Sequence, residues 1–355
     1  MKVYVLPADA FGCGHYRLIW PADVLRQQGH DVVIMPPNEK SGFLARVGEH
    51  DDGSQELTGV QVPADADVIV LQRPAHALQP QMIAMMRQNG IAVVVDMDDD
   101  MSTIHPDNIA FHMYRHRSSS PLSWKYTEAS CREATLVTST TAALQRRYAP
   151  HGRGAVIENY VPAACLEYEK LTTGNFGWAG TTKSHPNDLQ ITGHAVQALI
   201  DEGFPFRVVG GRSSVRQCLR LLQEPEVTGS IELNKWVGTM ALTYDVGMIP
   251  LAPTAFNSAK SSLKGKEHMA VGIPFVYSPR EDYRKLNKAS GCGLAAEKPK
   301  DWYWQLKALM TDGVLWKEQS EAGKTYMQEQ TYQKQAWRWM EAWTRAYEIQ
   351  RACGR

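Results

Sequence analysis

Apolar residues run almost unbroken through KVYVLPA near the N-terminus, which predicts a strand buried on both faces. The next stretch, YRLIWPADVLRQQG, reads as a helix ending at Gly29, and HDVVIMP returns to the extended pattern. DADVIVLQR then predicts a strand, LQPQMIAMMRQNG a helix and IAVVVDMD a strand. After an irregular stretch, SWKYTEASCREA predicts a helix, ATLVTST an extended segment, TAALQRRYA a helix and GAVIENYVP another extended segment. Apolar strands alternating with helices predict a parallel sheet covered on both faces.

The pattern then restarts. NFGWAG predicts a strand, and HPNDLQITGHAVQALIDEG a helix with Asn187 or Asp188 as its N-cap. FRVVGG, a shorter IELN and YDVGMIPL follow as strands, then a helix within FNSAKSSLKGKEHMAVG, and IPFVYS closes the series. The fold class is therefore α/β, two Rossmann-like doubly wound domains with a seam near Pro162. Residues 1–161 form the first, 162–335 the second, and 336–355 a C-terminal helix packing back on the first. Ligands of open parallel sheets bind outside the carboxyl ends of the strands. With two such sheets, those ends can face each other across a cleft. The helical tail carries WYWQLKALM and AWRWMEAWTRAYEI, whose tryptophans are expected to pack between domains, with a sugar platform as the alternative.

Composition narrows the class. Hydrophobic residues are 43% and charged residues 21% of the 355, as in soluble globular proteins, and the formal net charge is zero. No global field therefore draws a polyanionic partner, although a local patch could. The six cysteines are scattered without a CxxC pair, which argues against a zinc site and fits a reducing cytoplasm. MKVYVLPADA reads as a strand rather than a signal peptide, and no apolar run approaches the roughly 20 residues that span a bilayer. The C-terminal CGR is no lipidation signal.

Two segments break local rules. In FGCGHYR, after the first strand, Gly12 and Gly14 begin a dinucleotide-type fingerprint, but Arg17 stands where a third glycine belongs. The glycines permit close backbone approach to a ligand, or serve an ordinary tight turn. In AKSSLKGKEHM, Lys260 and Lys264 stand one turn apart at an expected helix start, with Glu267 beyond. Helix N-termini favour anions, and like charges at i,i+4 repel. At 100° per residue Lys260, Lys264, Glu267 and Val271 fall within about 60° of one another. Both lysines can neutralise a diphosphate, Ser258, Ser261 and Ser262 can cap the helix or donate to phosphate oxygens, and Glu267 can accept from ribose hydroxyls. A solvated face with a Lys264–Glu267 pair is the plainer alternative, and it leaves Lys260 unexplained.

This segment resembles the donor-binding helix of GT-B glycosyltransferases, especially retaining ones such as glycosyltransferase family four. There a helix glutamate is followed by A-x-G-x-P, as Glu267 is by Ala270, Gly272 and Pro274. DVGMIPLAPTAFN resembles the strand and loop before it, FGWAGTTKSHPNDL the opening of the donor domain, and ATLVTSTTAALQRRYAP with VIENYVP the last unit of the acceptor domain. GCGHYRLIWPA and AKSSLKGKEHMAVG together look most like glycosyltransferases encoded by actinobacterial phages. The resemblance departs at Ala259, where the family carries a second glutamate eight residues before the first. It implies a nucleotide-sugar co-substrate, UDP-linked, and no cofactor or metal. Gly12 and Gly14 would meet the phosphate or the sugar, and Thr181 and Lys183 would lie near the diphosphate, with Lys260, Ser261 and Lys264. Glu267 would hold the ribose. Lys183 and Lys264 would stabilise the leaving group, with Asp98 completing the candidate catalytic set.

The run DMDDD at Asp96–Asp100 suggests a metal, but at a strand end in the acceptor half it reads better as acceptor hydrogen bonding through Asp98 and Asp99, or as a polar strand end. His105 and His112 are further acceptor candidates. Residues 112–153 hold seven Lys/Arg, including Arg115 and Arg117, against Glu128 and Glu133. FHMYRHRSSSPLSWKY interleaves aromatic and basic residues, as nucleic-acid surfaces do. The expected acceptor is a hydroxyl, on a hydroxymethylated base in phage DNA within an infected host's cytoplasm. Alternatives are a virion or host protein, a cell-envelope glycan or lipid, a non-catalytic nucleotide- or glycan-binding protein, and a nucleotide-sugar epimerase of the same fold.

Overall fold

Each unbroken apolar run of the first half becomes a strand in a computed structural model of the chain, which describes residues 1–37, 44–49, 55–114, 123–211 and 214–353. The chain divides into two compact units. The first comprises Met1–Ile104, Phe111–Asn159 and Tyr332–Arg355, the second His105–Ala110 and Tyr160–Thr331.

In the first unit the strands are β1 (Val3–Leu6), β2 (Val32–Ile34), β5 (Val68–Gln72), β6 (Ala92–Met97), β7 (Leu136–Ser139) and β8 (Gly154–Val156). They form one parallel sheet in the order β2-β1-β5-β6-β7-β8. Val68, Ile69, Val70 and Val93 to Val95 are fully buried, as strands covered on both faces require. An antiparallel hairpin, β3 (Leu44–Glu49) and β4 (Gln55–Gln61), stands apart from this sheet. It falls where the hydrophobic pattern predicted no element.

Arg17, noted in the sequence only as a missing glycine, is fully buried in this unit. Its Nε and Nη2 donate to the two Asp96 oxygens at 3.0 and 2.8 Å, and its Nη1 to Ile157 O at 2.7 Å and Asn159 Oδ1 at 3.0 Å. Thr138 Oγ1 donates to Asp96 Oδ1 at 2.6 Å. The Trp339 indole donates to Arg17 O at 2.8 Å and the Tyr332 hydroxyl to Tyr16 O at 2.6 Å. One charge pair thus ties together the first helix, β6, β7, the segment after β8 and the returning helix Trp337–Cys353.

The second unit has β9 (Phe176–Ala179), β10 (Phe206–Val209), β11 (Glu226–Val227), β12 (Val246–Ile249), β13 (Phe275–Tyr277) and β14 (Leu294–Ala295). Their order, β11-β10-β9-β12-β13-β14, is the doubly wound arrangement, reversing between β9 and β12. Four expectations need correction here. IELN is not a strand, because Leu233–Lys235 is a 3-10 turn closed by Lys235 N–H to Glu232 O. The helix expected over 185–203 is split into a 3-10 turn, Leu189–Thr192, and a helix, Ala195–Asp201, by Gly193 at φ 60. Asp188 does not cap it with its side chain. Trp302, expected between domains, lies with Phe176, Trp178 and Leu306 in this unit's own core.

Candidate functional site

The carboxyl end of β9 is where the second unit gathers its charged side chains. The helix carrying Lys264 and Glu267 begins later than expected, at Leu263, because Ser262 N and Oγ both donate to Asp282 Oδ2 at 2.7 Å. Thr254 caps a separate turn, Ala255–Ser258, so Lys260 lies between the two helical segments rather than in a helix's first turn. Lys264 does occupy the first turn. Its Nζ donates to Ala179 O at 2.7 Å and stands 5.3 Å from the Trp178 ring. A Cβ on Gly180 would come within 2.8 Å of that ammonium, so this approach needs glycine. Lys260 Nζ lies over the Phe256 ring at 4.5 Å. Burial, opposed by Glu267 and reinforced by the like charge of Lys260, lowers the Lys264 pKa to about 8. Glu267 is buried one turn deeper, where the Trp236 indole donates to its Oε2 at 3.4 Å.

Asp188 organises the surrounding loops. Its Oδ1 accepts from Ala252 N at 2.8 Å and Asn257 Nδ2 at 2.6 Å, joining the segments after β9 and β12 at the reversal point. Its Oδ2 accepts from His185 Nδ1 at 2.9 Å. Thr181 and Lys183 occupy the same β9 loop: Thr181 O accepts from Ser184 Oγ at 3.3 Å, and Lys183 is exposed, its carbonyl accepting from Ile109 N at 2.9 Å. Ser261, next to Lys260 in sequence, is half-buried. Among the acceptor candidates, His105 joins this loop, its Nε2 3.2 Å from Asn187 Nδ2.

His268, on the helix of Lys264, donates from Nδ1 to Lys264 O at 2.5 Å and accepts from the Tyr244 hydroxyl at 3.1 Å. Burial pushes His268 down to about 4 and His185, also facing Lys264, down to about 3. Both stay neutral in the folded chain while an unfolded chain protonates them near 6.5, so the unfolded state binds more protons below that pH. Stability is expected to fall from pH 6.5 downward, by about 2 kcal/mol per histidine at pH 5. Thermal melts at pH 7 and pH 5 check this; an unchanged midpoint would contradict it.

In the first unit the loop after β1 is held by Gln72, whose Oε1 accepts from Ala8 N at 3.0 Å and whose Nε2 donates to Cys13 O at 3.1 Å. Asp9 Oδ1 accepts from Phe11 N and Gly14 N. A Cβ on Gly14 would stand 1.9 Å from Asp9 O, whereas one on Gly12 would meet nothing within 4 Å among the described residues. Gly14 therefore serves the turn, and Gly12 leaves open space. The helix that follows contains a π turn, His15–Ile19.

The DMDDD run separates into three tasks. Asp96 holds Arg17; Asp98 pairs through both oxygens with Arg73, which also faces Asp99 Oδ2 at 3.4 Å; Asp100 Oδ1 accepts from Ser102 and from the Tyr148 hydroxyl. Cys13 Sγ lies 3.2 Å from Arg73, and burial pushes its thiol up to about 12, away from nucleophilic use. His112 is exposed, on the turn Phe111–Tyr114, and Arg115 and Arg117 lie outside the described residues. Of the other basic residues between 112 and 153, Arg147 pairs with Glu128, and Arg153 donates to Arg132 O and Ala134 O. Sequence reasoning gave Asp188 only a capping role and missed Arg73 and Trp236. Only the crowding of polar residues in HPND hinted at more for Asp188.

No protein-family model and no curated protein sequence matches the chain. Solved structures match it over nearly its whole length. A sucrose-phosphate synthase from Thermosynechococcus elongatus aligns with TM-score 0.64 and 12% identity, covering 98% of this chain and 100% of that one. A trehalose-6-phosphate synthase, studied for glycosyl transfer with retention, aligns with TM-score 0.61 and 9% identity over 97% and 99%. A UDP-forming trehalose-phosphate synthase from Burkholderia xenovorans, in complex with glucose-6-phosphate, aligns with TM-score 0.52 and 11% identity over 79% and 73%. The two doubly wound units of this chain therefore have the GT-B fold of these glycosyltransferases.

Proposed function

We propose that the chain is a glycosyltransferase that takes a sugar from a nucleoside diphosphate sugar, UDP-linked, and delivers it to a hydroxyl with retention. The observation that carries this reading is the half-buried Lys264 ammonium at the carboxyl end of β9, beside the sheet's reversal point and at a helix N-terminus. A diphosphate there meets a cation and the positive end of the helix dipole. Lys260 and Lys183 supply further positive charge, so the leaving group can be stabilised by the protein's own lysines without a metal. Glu267 accepts from the ribose hydroxyls. The departing diphosphate takes the acceptor's proton on the face it leaves. Ala259, in place of a second glutamate, removes one contact to the transferred sugar.

For the acceptor, the reading is a hydroxymethylated base in DNA, with phosphates met by the exposed Lys125, Arg132 and Arg146. Such binding weakens steeply with salt.

The test is incubation with a panel of nucleotide sugars, with and without hydroxymethylated DNA and with and without EDTA. Released nucleoside diphosphate is quantified and the nucleosides are analysed by mass spectrometry. UDP release unaffected by EDTA, with a hexose added to the base, is expected. UDP binding without turnover would favour a binding protein, an isomerised donor would favour an epimerase, and no binding of any nucleotide sugar would overturn the reading. No mobility shift with DNA at low salt would remove the DNA acceptor.

A further inference from the structure

Within the first unit, the carboxyl ends of β1, β2 and β5 border an open cavity of about 370 Å³, next to the point where the strand order reverses from β1 to β5. Ligands of open parallel sheets collect at such points. Its lining includes the apolar Met35, Pro36 and Met113, the Tyr114 ring, Gln79 and Arg73. Arg73 is the one permanently charged side chain among the described lining residues.

A lone arginine in such a place would be an anion receptor, because its planar fork matches a phosphate or carboxylate. Here the fork is taken. Nε and Nη2 go to the two Asp98 oxygens, Nη2 also faces Asp99 and Cys13, and the Tyr114 hydroxyl bonds the same guanidinium. One cation against two carboxylates leaves a local charge of −1. The backbone supports this arrangement: Arg73 stands at φ 50, rare for a residue with a side chain, with its N–H bonded to Asp96 O at 3.1 Å.

We infer that this cavity is the acceptor subsite and that it selects an uncharged hydroxyl compound with an apolar face, excluding phosphorylated ones. The inference rests on the glycosyltransferase reading above. An entering phosphate could reach the Arg73 fork only by displacing the Asp98 carboxylate that already fills it, which is unfavourable. An uncharged ring instead lays its apolar face on Tyr114, Met113 and Pro36 and meets the Gln79 amide with a hydroxyl. This opposes the chemistry of the compared structure that holds glucose-6-phosphate. It accommodates a single extruded base, whose phosphates stay outside.

The experiment uses the full chain and acceptors paired to differ only in a phosphate: glucose with glucose-6-phosphate, and methyl glucoside with methyl glucoside 6-phosphate. UDP release is measured in each case, and binding of each compound is measured independently by saturation-transfer NMR. The neutral member of at least one pair is expected to bind and to raise UDP release at least tenfold more than its phosphorylated partner. Asp99→Asn, at a residue whose side chain is 23% exposed, and Asp98→Asn should each narrow that preference. Asp99→Asn keeps the comparison usable if Asp98→Asn does not fold. A phosphorylated member that binds or stimulates as well as its neutral partner overturns the inference, and so does a failure of all four to bind. Loss of UDP binding would instead overturn the donor reading, and the NMR comparison still judges the cavity.

Discussion

Arg17→Met is expected to destabilise the first unit by about 3 to 5 kcal/mol, the usual cost of breaking a buried ion pair from one side. The substitution leaves Asp96 fully buried with the Thr138 hydroxyl, and it strips donors from Ile157 O and Asn159 Oδ1. The penalty arises from the orphaned carboxylate more than from lost attraction, because paired charges in an interior roughly repay their own desolvation. Replacing both partners, Arg17→Met with Asp96→Leu, should therefore recover part of the loss. Urea denaturation followed by far-UV circular dichroism measures this. At a slope of about 2 to 3 kcal/mol per molar, the single substitution moves the first unit's midpoint down by roughly 1 to 2 M. A midpoint shift below a few tenths molar would show that the pair does not hold this unit together.

Lys264→Ala is expected to weaken UDP binding roughly 30- to 150-fold, the equivalent of about 2 to 3 kcal/mol for a hydrogen bond to a charged group. The fold should survive, since Lys264 gives up one bond to Ala179 O and is only half-buried. A thermal melt serves as the control. Titration calorimetry reads the affinity, and an unchanged value counts against Lys264 as a diphosphate contact. The same residue predicts a pH dependence. Burial brings its pKa to about 8, and binding an anion requires the charged form. Affinity in the wild-type chain should therefore decline above pH 8, approaching tenfold per pH unit, and the alanine variant should lack that decline.

The parallel sheets were legible because strands covered on both faces must be apolar throughout, as in VIVLQ and AVVVDM. The hairpin β3–β4, LARVGE against QELTGVQ, was not, since its polar residues and glycines blur any period of two. IELN failed because four residues carry too little strand propensity to oppose a local turn, here closed by Lys235 N–H to Glu232 O. In the site, Lys264 stood out through a violated helix rule, and its ammonium meets the last residue of β9, while Glu267 meets the Trp236 indole. The partners of Arg17 and Arg73 lie 79 and 25 residues away, beyond the reach of spacing arguments. For the same reason DMDDD read as one motif although its carboxylates serve separate arginines and a tyrosine. Asp188 resembled a cap because short-range rules assign it one; its true partners, Ala252 and Asn257, come from a loop more than sixty residues later.

The return of Tyr332–Arg355 to the first unit constrains the order of events during synthesis. On the ribosome, the sheet of β1 to β8 is complete long before the Trp339 and Tyr332 side chains that bond the carbonyls of Arg17 and Tyr16 have been made. Until they emerge, the nascent N-terminal half carries an uncovered apolar face and an arginine site still open on one side. Fragments cut at the seam are therefore expected to be recovered mainly as aggregates.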